Sequence, residues 1–459
     1  MTDSASHTNT IAIIGGGFSG AVTVIHICKS YHKPVKVLFF NEGYPTAKGI
    51  AYSSHSKYHV LNVAAGKMSL FNNEPLHFVN WVRSNYAEFD DENLENKFLP
   101  RGIFGEYVAH HFNNVIKNST NAEVVEINKQ VTDVEFVNGQ YSITISGIEK
   151  FTVNKILYAP GNFIPEIPNA VGNDLMEQKK YFSNPWTDDA TDNLSNGDVL
   201  ILGTGLTMVD TALSLLEKNF EGSIIAASTH GFFPLPHRKY EPYSDILIEL
   251  KRPYSINQIF DAFRKHVHEA RKRNLFGAAV VDALRPFTQD IWLQLDLTEK
   301  KRFINHVRHT WGLARHRLPV EVYERITPLL QSGKLKILAG RIKESKLTDG
   351  ILEVMITERK SQIPVFMKVQ RIINCTGPQT NITKVNDLLM QNLLRRNIIE
   401  PDELDLGIRA TAYGNVITEN KISTSFFTIG STLRGVLWES TAVPEIRVQA
   451  ERVAKLLTS

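Results

Sequence analysis

The sequence predicts an α/β protein of two doubly wound units, the first interrupted by the second. Three observations predict it. An apolar run ends in a glycine turn at Gly15-Gly16-Gly17-Phe18-Ser19-Gly20, and a similar turn recurs at Gly203-Thr204-Gly205-Leu206-Thr207-Met208. Further apolar runs end in glycine at Gly161, Gly377 and Gly430. The chain has 459 residues, room for two or three domains on size alone.

The first element is the run Ile11-Ala12-Ile13-Ile14, read as a buried parallel strand. Gly15, Gly17 and Gly20 then fit G-x-G-x-x-G. Gly15 makes the tight turn, Gly17 lets the backbone approach a pyrophosphate, and Gly20 allows close helix–strand packing. The helix that follows supplies unpaired N–H groups and the positive end of its dipole. A second strand covers 35–40. Glu42 stands 22 residues after Gly20, near the offset at which an acid accepts hydrogen bonds from an adenosine ribose. Asn41, directly at the strand end, is the rival.

Residues 122–148 alternate apolar and polar and predict a β-meander turning at Asn138-Gly139. Another buried strand lies at 155–158, and the prolines at 165 and 168 mark a crossover. The second turn follows a strand at 199–202. Its third glycine position holds Met208, which fits only if the helix–strand gap is wider. No acid ends the next strand; Thr229, His230 and Gly231 stand there, with His237 and Arg238 downstream. An acid would repel a 2′-phosphate, so its absence leans toward NADP, while a solvated basic loop remains the plain alternative. Two dinucleotide turns in one chain point to hydride transfer from nicotinamide to flavin.

A helical insertion is predicted at 243–333, with apolar positions at Ile259, Phe263 and Val267 and again at Phe303, Val307 and Trp311. It is locally basic, most sharply at Arg315-His316-Arg317, read as an anion-binding surface for a substrate or a phosphate. Residues 371–378 and 426–431 are strand-then-glycine segments assigned to the first unit, and a last helix opens near Thr441. The expected division is 1–165, 166–365 and 366–459, the first and third forming one unit. Residues 1–10 are expected to be a tail.

The balance of 51 Lys plus Arg against 48 Asp plus Glu gives a net charge of +3, with no basic run of the kind phosphate-dependent nucleic-acid binding needs. Two cysteines, Cys28 and Cys375, exclude a disulfide scaffold and make a cysteine-based metal site unexpected. With no apolar leader or membrane span, a cytoplasmic protein is expected.

With these segments assembled, the sequence resembles bacterial FAD/NAD(P)-binding oxidoreductases related to flavin-dependent N-hydroxylating monooxygenases. The residues that carry the resemblance are 13–20, 49–53, 59–63 with Met68-Ser69, 77–81, 203–210, 315–317, 374–378 and, most specifically, 433–447. The resemblance implies a discontinuous Rossmann-like FAD domain with an inserted NAD(P) domain. Gly15, Gly17, Phe18, Ser19, Gly20, Asn41 and Glu42 would hold the adenosine and pyrophosphate of FAD. His59, Asn62 and Met68 would line the isoalloxazine, with Gly377 and Gly430 approaching FAD and Thr441 starting a flavin-facing helix. Gly203, Gly205, Leu206, Thr207 and Met208, with His237 and Arg238, would bind NADPH, NADH remaining open. Oxygen would be activated as a flavin C4a-(hydro)peroxide, His59, Asn62 and Trp438 being the catalytic candidates. Arg315, His316 and Arg317 would grip a carboxylate of an amine-type substrate. The sequence departs from related folds at Ser431, where many carry Asp, and at Thr229-His230-Gly231, where many carry Arg-Arg-Gly. A flavin reductase or oxidase without oxygen transfer, and a non-catalytic FAD/NADPH sensor, are the alternatives.

Overall fold

The computed structural model describes residues 9–89 and 91–459. Most of the expected tail lies outside the described residues, but Asn9 and Thr10 already belong to the first strand, Asn9–Ile14. The fold is the α/β arrangement expected. A six-stranded sheet runs in the order Asn415–Thr418, Lys421–Thr428, Lys155–Tyr158, Asn9–Ile14, Val35–Phe40, Ala122–Ile127. Its neighbours pair in parallel except for the Asn415–Thr418 edge hairpin. Burial on both faces explains the unbroken apolar runs. The helices Phe18–Ser30, Arg101–Asn118 and Val443–Thr458 cover one face, burying Ile25, Phe104 and Ala450 among others. A three-stranded antiparallel sheet and the helix Leu388–Arg395 cover the other.

The expected meander divides between these layers. Ala122–Ile127 joins the parallel sheet, and the antiparallel layer is Val131–Val137, Gln140–Ile145 and Glu149–Val153. Its turn is at Asn138-Gly139, where φ is +52° and +81°, a two-residue hairpin turn that Asn-Gly favours.

The second sheet has seven strands in the order Pro364–Val369, Ile351–Glu358, Leu335–Thr348, Ile224–Ser228, Val199–Leu202, Arg371–Asn374, Tyr181–Phe182. Arg371–Asn374 pairs in parallel with Val199–Leu202. This corrects its assignment to the first unit, since a strand-then-glycine pattern says nothing about which sheet the strand enters. The helix Val320–Gln331 leads into Leu335–Thr348, which lies parallel to Ile224–Ser228, and its Ile326 shares a core with Leu213. It is therefore the crossover helix of this unit. The helices before it, from Ile246–Glu249 to Arg308–Arg315, form the insertion, with a π-helical turn at Phe303–Val307.

The two units meet at a buried joint. Arg101, at the start of Arg101–Asn118, pairs with Asp210 of the helix Leu206–Glu217 at 2.8 Å, with side-chain exposures of 17% and 9%. Removing one partner of such a pair strands the other charge, at about 3–5 kcal/mol. Arg101→Met is expected to lower stability on that scale in urea unfolding, and an Arg101→Met/Asp210→Leu double variant to recover part of it.

Candidate active site

The cleft of the first unit has a volume of about 770 Å³ and is lined by the glycine turn, Asn41, Glu42, Lys48, Tyr158, Gly161, Ser431 and Thr441. Gly15 has φ +119°, and a Cβ there would lie 2.0 Å from the carbonyl oxygen of Ala159. A Cβ on Gly20 would meet the Gly15 oxygen at 2.1 Å. Gly17 is the N-cap of Phe18–Ser30 and has no side chain to satisfy the first N–H groups, which leaves them for an anion. Phe18 borders the cleft with most of its ring turned inward. Its buried ring packs on Tyr52 and Phe104, while Ser19 lines the cleft.

The structure separates Asn41 from Glu42. Asn41 is buried, and its Nδ2 donates to the Tyr44 carbonyl at 2.9 Å and to Thr46 Oγ1 at 3.3 Å. Its amide holds the loop against Gly16. Glu42 is exposed in the cleft lining, so its carboxylate is the free acceptor.

Opposite this turn lies the segment 430–442. Gly430 has φ +77°, its N–H donates to Gln449 Oε1 at 3.0 Å, and its carbonyl accepts from Ser440 Oγ at 2.7 Å. Gln449 Nε2 donates to the Ser440 carbonyl at 3.1 Å. This closed network pins the segment to the last helix. Ser431 donates its hydroxyl to the Gly161 carbonyl, bridging the ends of two adjacent strands at the cleft. Thr441 is exposed and lines the cleft just before Val443–Thr458. Gly377, at φ +96°, ends the strand Arg371–Asn374; Gln379 and Lys384 beyond it reach the cleft.

The second turn repeats the pattern. Gly203 has φ +105° and Gly205 is an N-cap without a side-chain bond, with open space where a Cβ would point. Leu206 and Thr207 are half-buried in the first turn, and Met208 is fully buried in the core of the unit, filling the place of the third glycine. At the end of Ile224–Ser228, Arg341 Nε donates to Thr229 Oγ1 at 3.4 Å, and Arg359 contacts His230 Nδ1. These arginines come from an antiparallel hairpin more than 100 residues downstream, which no local motif reveals.

His237 and Arg238 take other places. The His237 ring is largely buried, 4.8 Å from Phe98, and burial lowers its pKa to about 4. It carries no charge for a phosphate at neutral pH. Arg238 stacks over Phe276 in the insertion at 4.5 Å.

Four further candidates also lie outside the lining of the cleft. His59 is buried, with Nδ1 at 2.7 Å from Ser54 Oγ and Nε2 at 2.8 Å from Ser214 Oγ and 3.1 Å from the Asp210 carbonyl. It belongs to the joint between the units. Met68 is a core residue at 2% exposure, whereas Asn62 is exposed. Trp438 is buried against Trp292 and Phe303, with ring centroids 5.1 and 5.0 Å away.

The expected carboxylate grip is corrected too. Arg315 Nε donates to Glu439 Oε2 at 2.9 Å. Arg317 is 3% exposed and is held by Asp282, Tyr240 Oη and the Ala314 carbonyl. Charge density in the sequence could not show that these guanidinium groups are already paired; only His316 stays exposed. Arg285 and Arg434, by contrast, make no ion pair or side-chain hydrogen bond among the described residues, and Arg434 lines a recess with Ser431 and Thr441. Glu445, in the first turn of the last helix, has a buried Oε2 without a hydrogen-bond partner, and burial raises its pKa. The two cysteines lie in different units. Burial pushes Cys28 up to about 11 and Cys375 up to about 12, so no reactive dithiol faces the cleft.

Two glycine cradles, each opening an uncapped helix and each at the end of a parallel strand, give the chain the fold of two-unit Rossmann-type FAD/NAD(P)-binding proteins. Comparison with known proteins agrees. Residues 12–163 match the family described as FAD-NAD(P)-binding. A relative in Escherichia coli (strain K12), the uncharacterized protein YdhS, is 24% identical over 230 residues, which cover 47% of this chain and 40% of that protein. The chain therefore aligns with about two-fifths of that relative's length. L-lysine 6-monooxygenase from Pseudomonas syringae superposes with TM-score 0.68 at 15% identity, covering 98% of this chain and 99% of that one. Kutzneria sp. 744 ornithine N-hydroxylase, in its form with FADred, NADP+ and L-orn, gives TM-score 0.64 at 16% identity, covering 98% and 99%. The thioredoxin reductase of Lactococcus lactis is more distant, with TM-score 0.51 at 13% identity and 98% of each chain covered. Among the described residues no helix is long and apolar enough to cross a membrane.

Glu42→Ala is expected to weaken FAD binding about tenfold in a fluorescence titration, the scale of one charge-assisted hydrogen bond. Asn41→Ala is expected to lower thermal stability instead. His237 in the unfolded chain takes up a proton near pH 6.5 and in the folded chain only near 4, so stability falls as pH drops through that window. His237→Phe is expected to flatten that part of the stability profile, read by urea unfolding at stepped pH.

Proposed function

We propose that this protein is an FAD-dependent, NADPH-oxidising monooxygenase that hydroxylates a small amine-type substrate. The carrying observation is the pair of glycine cradles, each opening an uncapped helix at the end of a parallel strand, the first in the cleft that Thr441 also lines. FAD, when bound, supplies the redox chemistry and the activation of dioxygen. The chain's residues do the rest. The first glycine turn and Glu42 hold the adenosine end. The second turn holds the pyrophosphate of the nicotinamide cofactor on the N-terminus of Leu206–Glu217. Arg341, Arg359 and Thr229 receive the 2′-phosphate, which gives NADPH the advantage over NADH.

An amine attacks only after it has lost its ammonium proton. Glu445 Oε2, unpartnered and shifted upward by burial, takes that proton. The insertion closes over the segment 430–442 through Gln289 Nε2, which donates to the Glu439 carbonyl at 3.2 Å, and Trp292 Nε1, which donates to the Gly435 carbonyl at 2.9 Å. That closure excludes water, which otherwise diverts activated oxygen to hydrogen peroxide.

The test is coupling. With a panel of small amines under air, hydroxylamine product is expected to track NADPH consumed for at least one amine. Hydrogen peroxide as the sole product with every amine would replace this reading by the reductase–oxidase one. Glu445→Gln is expected to cut product formation at least tenfold while anaerobic flavin reduction stays near the parent rate. Arg341→Ala/Arg359→Ala is expected to raise KM for NADPH about tenfold or more and leave that for NADH unchanged, as measured in steady-state assays.

A further inference from the structure

The insertion contains a cavity that the site described above does not use. Its volume is about 150 Å³, it is partly open, and its wall includes Phe263, Val281, Trp292, Phe303, Trp311 and Trp438. Protein cores hold few voids larger than a water molecule, because a void strips dispersion contacts from all its neighbours. A dry apolar cavity of about 150 Å³ admits one benzene-sized group. Two of the three wall indoles are already bonded, Trp292 Nε1 to the Gly435 carbonyl and Trp311 Nε1 to Glu439 Oε1 at 2.9 Å, while Trp438 Nε1 is buried without a hydrogen-bond partner.

Two guanidinium groups flank this cavity. Arg434 lies 5.1 Å from the ring of the wall residue Trp438. Arg308 follows the wall residue Val307 and precedes the wall residue Thr310. Among the described residues neither makes an ion pair. The nearby carboxylate, Glu439, is already taken by Arg315 and Trp311. Burial, together with repulsion from Arg308, lowers the pKa of Arg434. Arg434 also lines the recess that holds Ser431 and Thr441, so a group bound to it stands between the cavity and the cofactor cleft.

We propose that this cavity is a binding site for a small organic carboxylate, its aryl or branched-alkyl body among the tryptophans and its carboxylate on Arg434 and Arg308. An apolar pocket with a few convergent charged groups is the usual form of a small-molecule site, and a planar carboxylate suits paired guanidinium donors. That this ligand is the amine substrate's own body rests on the monooxygenase reading; its binding does not.

The probes are 3-phenylpropionate, the matching alcohol 3-phenylpropan-1-ol, and acetate. They are titrated into the FAD-loaded protein by calorimetry, with tryptophan fluorescence as a second readout. The acid is expected to bind saturably, the alcohol about tenfold more weakly, and acetate not at all. Val281→Phe fills the cavity and is expected to abolish binding of acid and alcohol; Ala314→Leu, on the same wall, repeats the test should Val281→Phe not fold. Arg434→Gln is expected to bring acid and alcohol to equal affinity. Equal affinities in the parent protein, no saturable binding of the acid, or binding that survives both filling variants would overturn the proposal. Flavin reduction by NADPH in the same samples reports separately on the redox reading.

Discussion

The buried joint between the two nucleotide units is the constraint on which the rest depends. Hydride transfer needs two dinucleotides held at a fixed separation, and each glycine cradle stands on its own sheet. Arg101 and Asp210 tie the helix that packs behind the first cradle to the helix that opens from the second. His59 reinforces the tie by bonding Ser54 on its own side and Ser214 on the other. A buried ion pair contributes little net stability, because both charges lose water. Its value here is geometric, since only one docking of the units satisfies all of these groups.

A second constraint acts on the segment 430–442, which follows the strand Lys421–Thr428 of the first sheet yet serves as the floor of the insertion. Gln449 holds it from the last helix, and Trp292, Gln289, Trp311 and Arg315 hold it from the insertion. Glu439 sits at φ +64°, where a side chain other than glycine is strained. Its two bonded partners on the insertion keep it there. Cofactor cleft, arginine recess and apolar cavity thus share one wall, and a change in the insertion is felt at the cleft.

What the sequence made legible follows from the range of the interactions concerned. Strand, glycine turn and helix are local, and both cradles were readable, down to Met208 filling the place of a glycine. The Asn-Gly hairpin was readable for the same reason. Choosing Glu42 over Asn41 needed the side-chain bonds of Asn41. The strand Arg371–Asn374 enters the second sheet by pairing with Val199–Leu202, a partner too far along the chain for a local pattern to report. Basic residues misled most. Arg315 and Arg317 stand in a charged run but are consumed by Glu439 and Asp282, and His237 is buried and neutral. Arg285, Arg434, Arg341 and Arg359 stand out only when it is known which charges lack partners and which loops meet.

The central claim is that the two cradles carry FAD and a nicotinamide cofactor and pass a hydride between them. The direct measurement is to mix FAD-loaded protein with NADPH in the absence of oxygen and follow the yellow absorbance of the flavin. The account predicts bleaching within single turnover, faster with NADPH than with NADH, and slowed when Arg101 is replaced by Met. A flavin that stays yellow with both nucleotides would contradict it and leave a protein that binds FAD without reducing it.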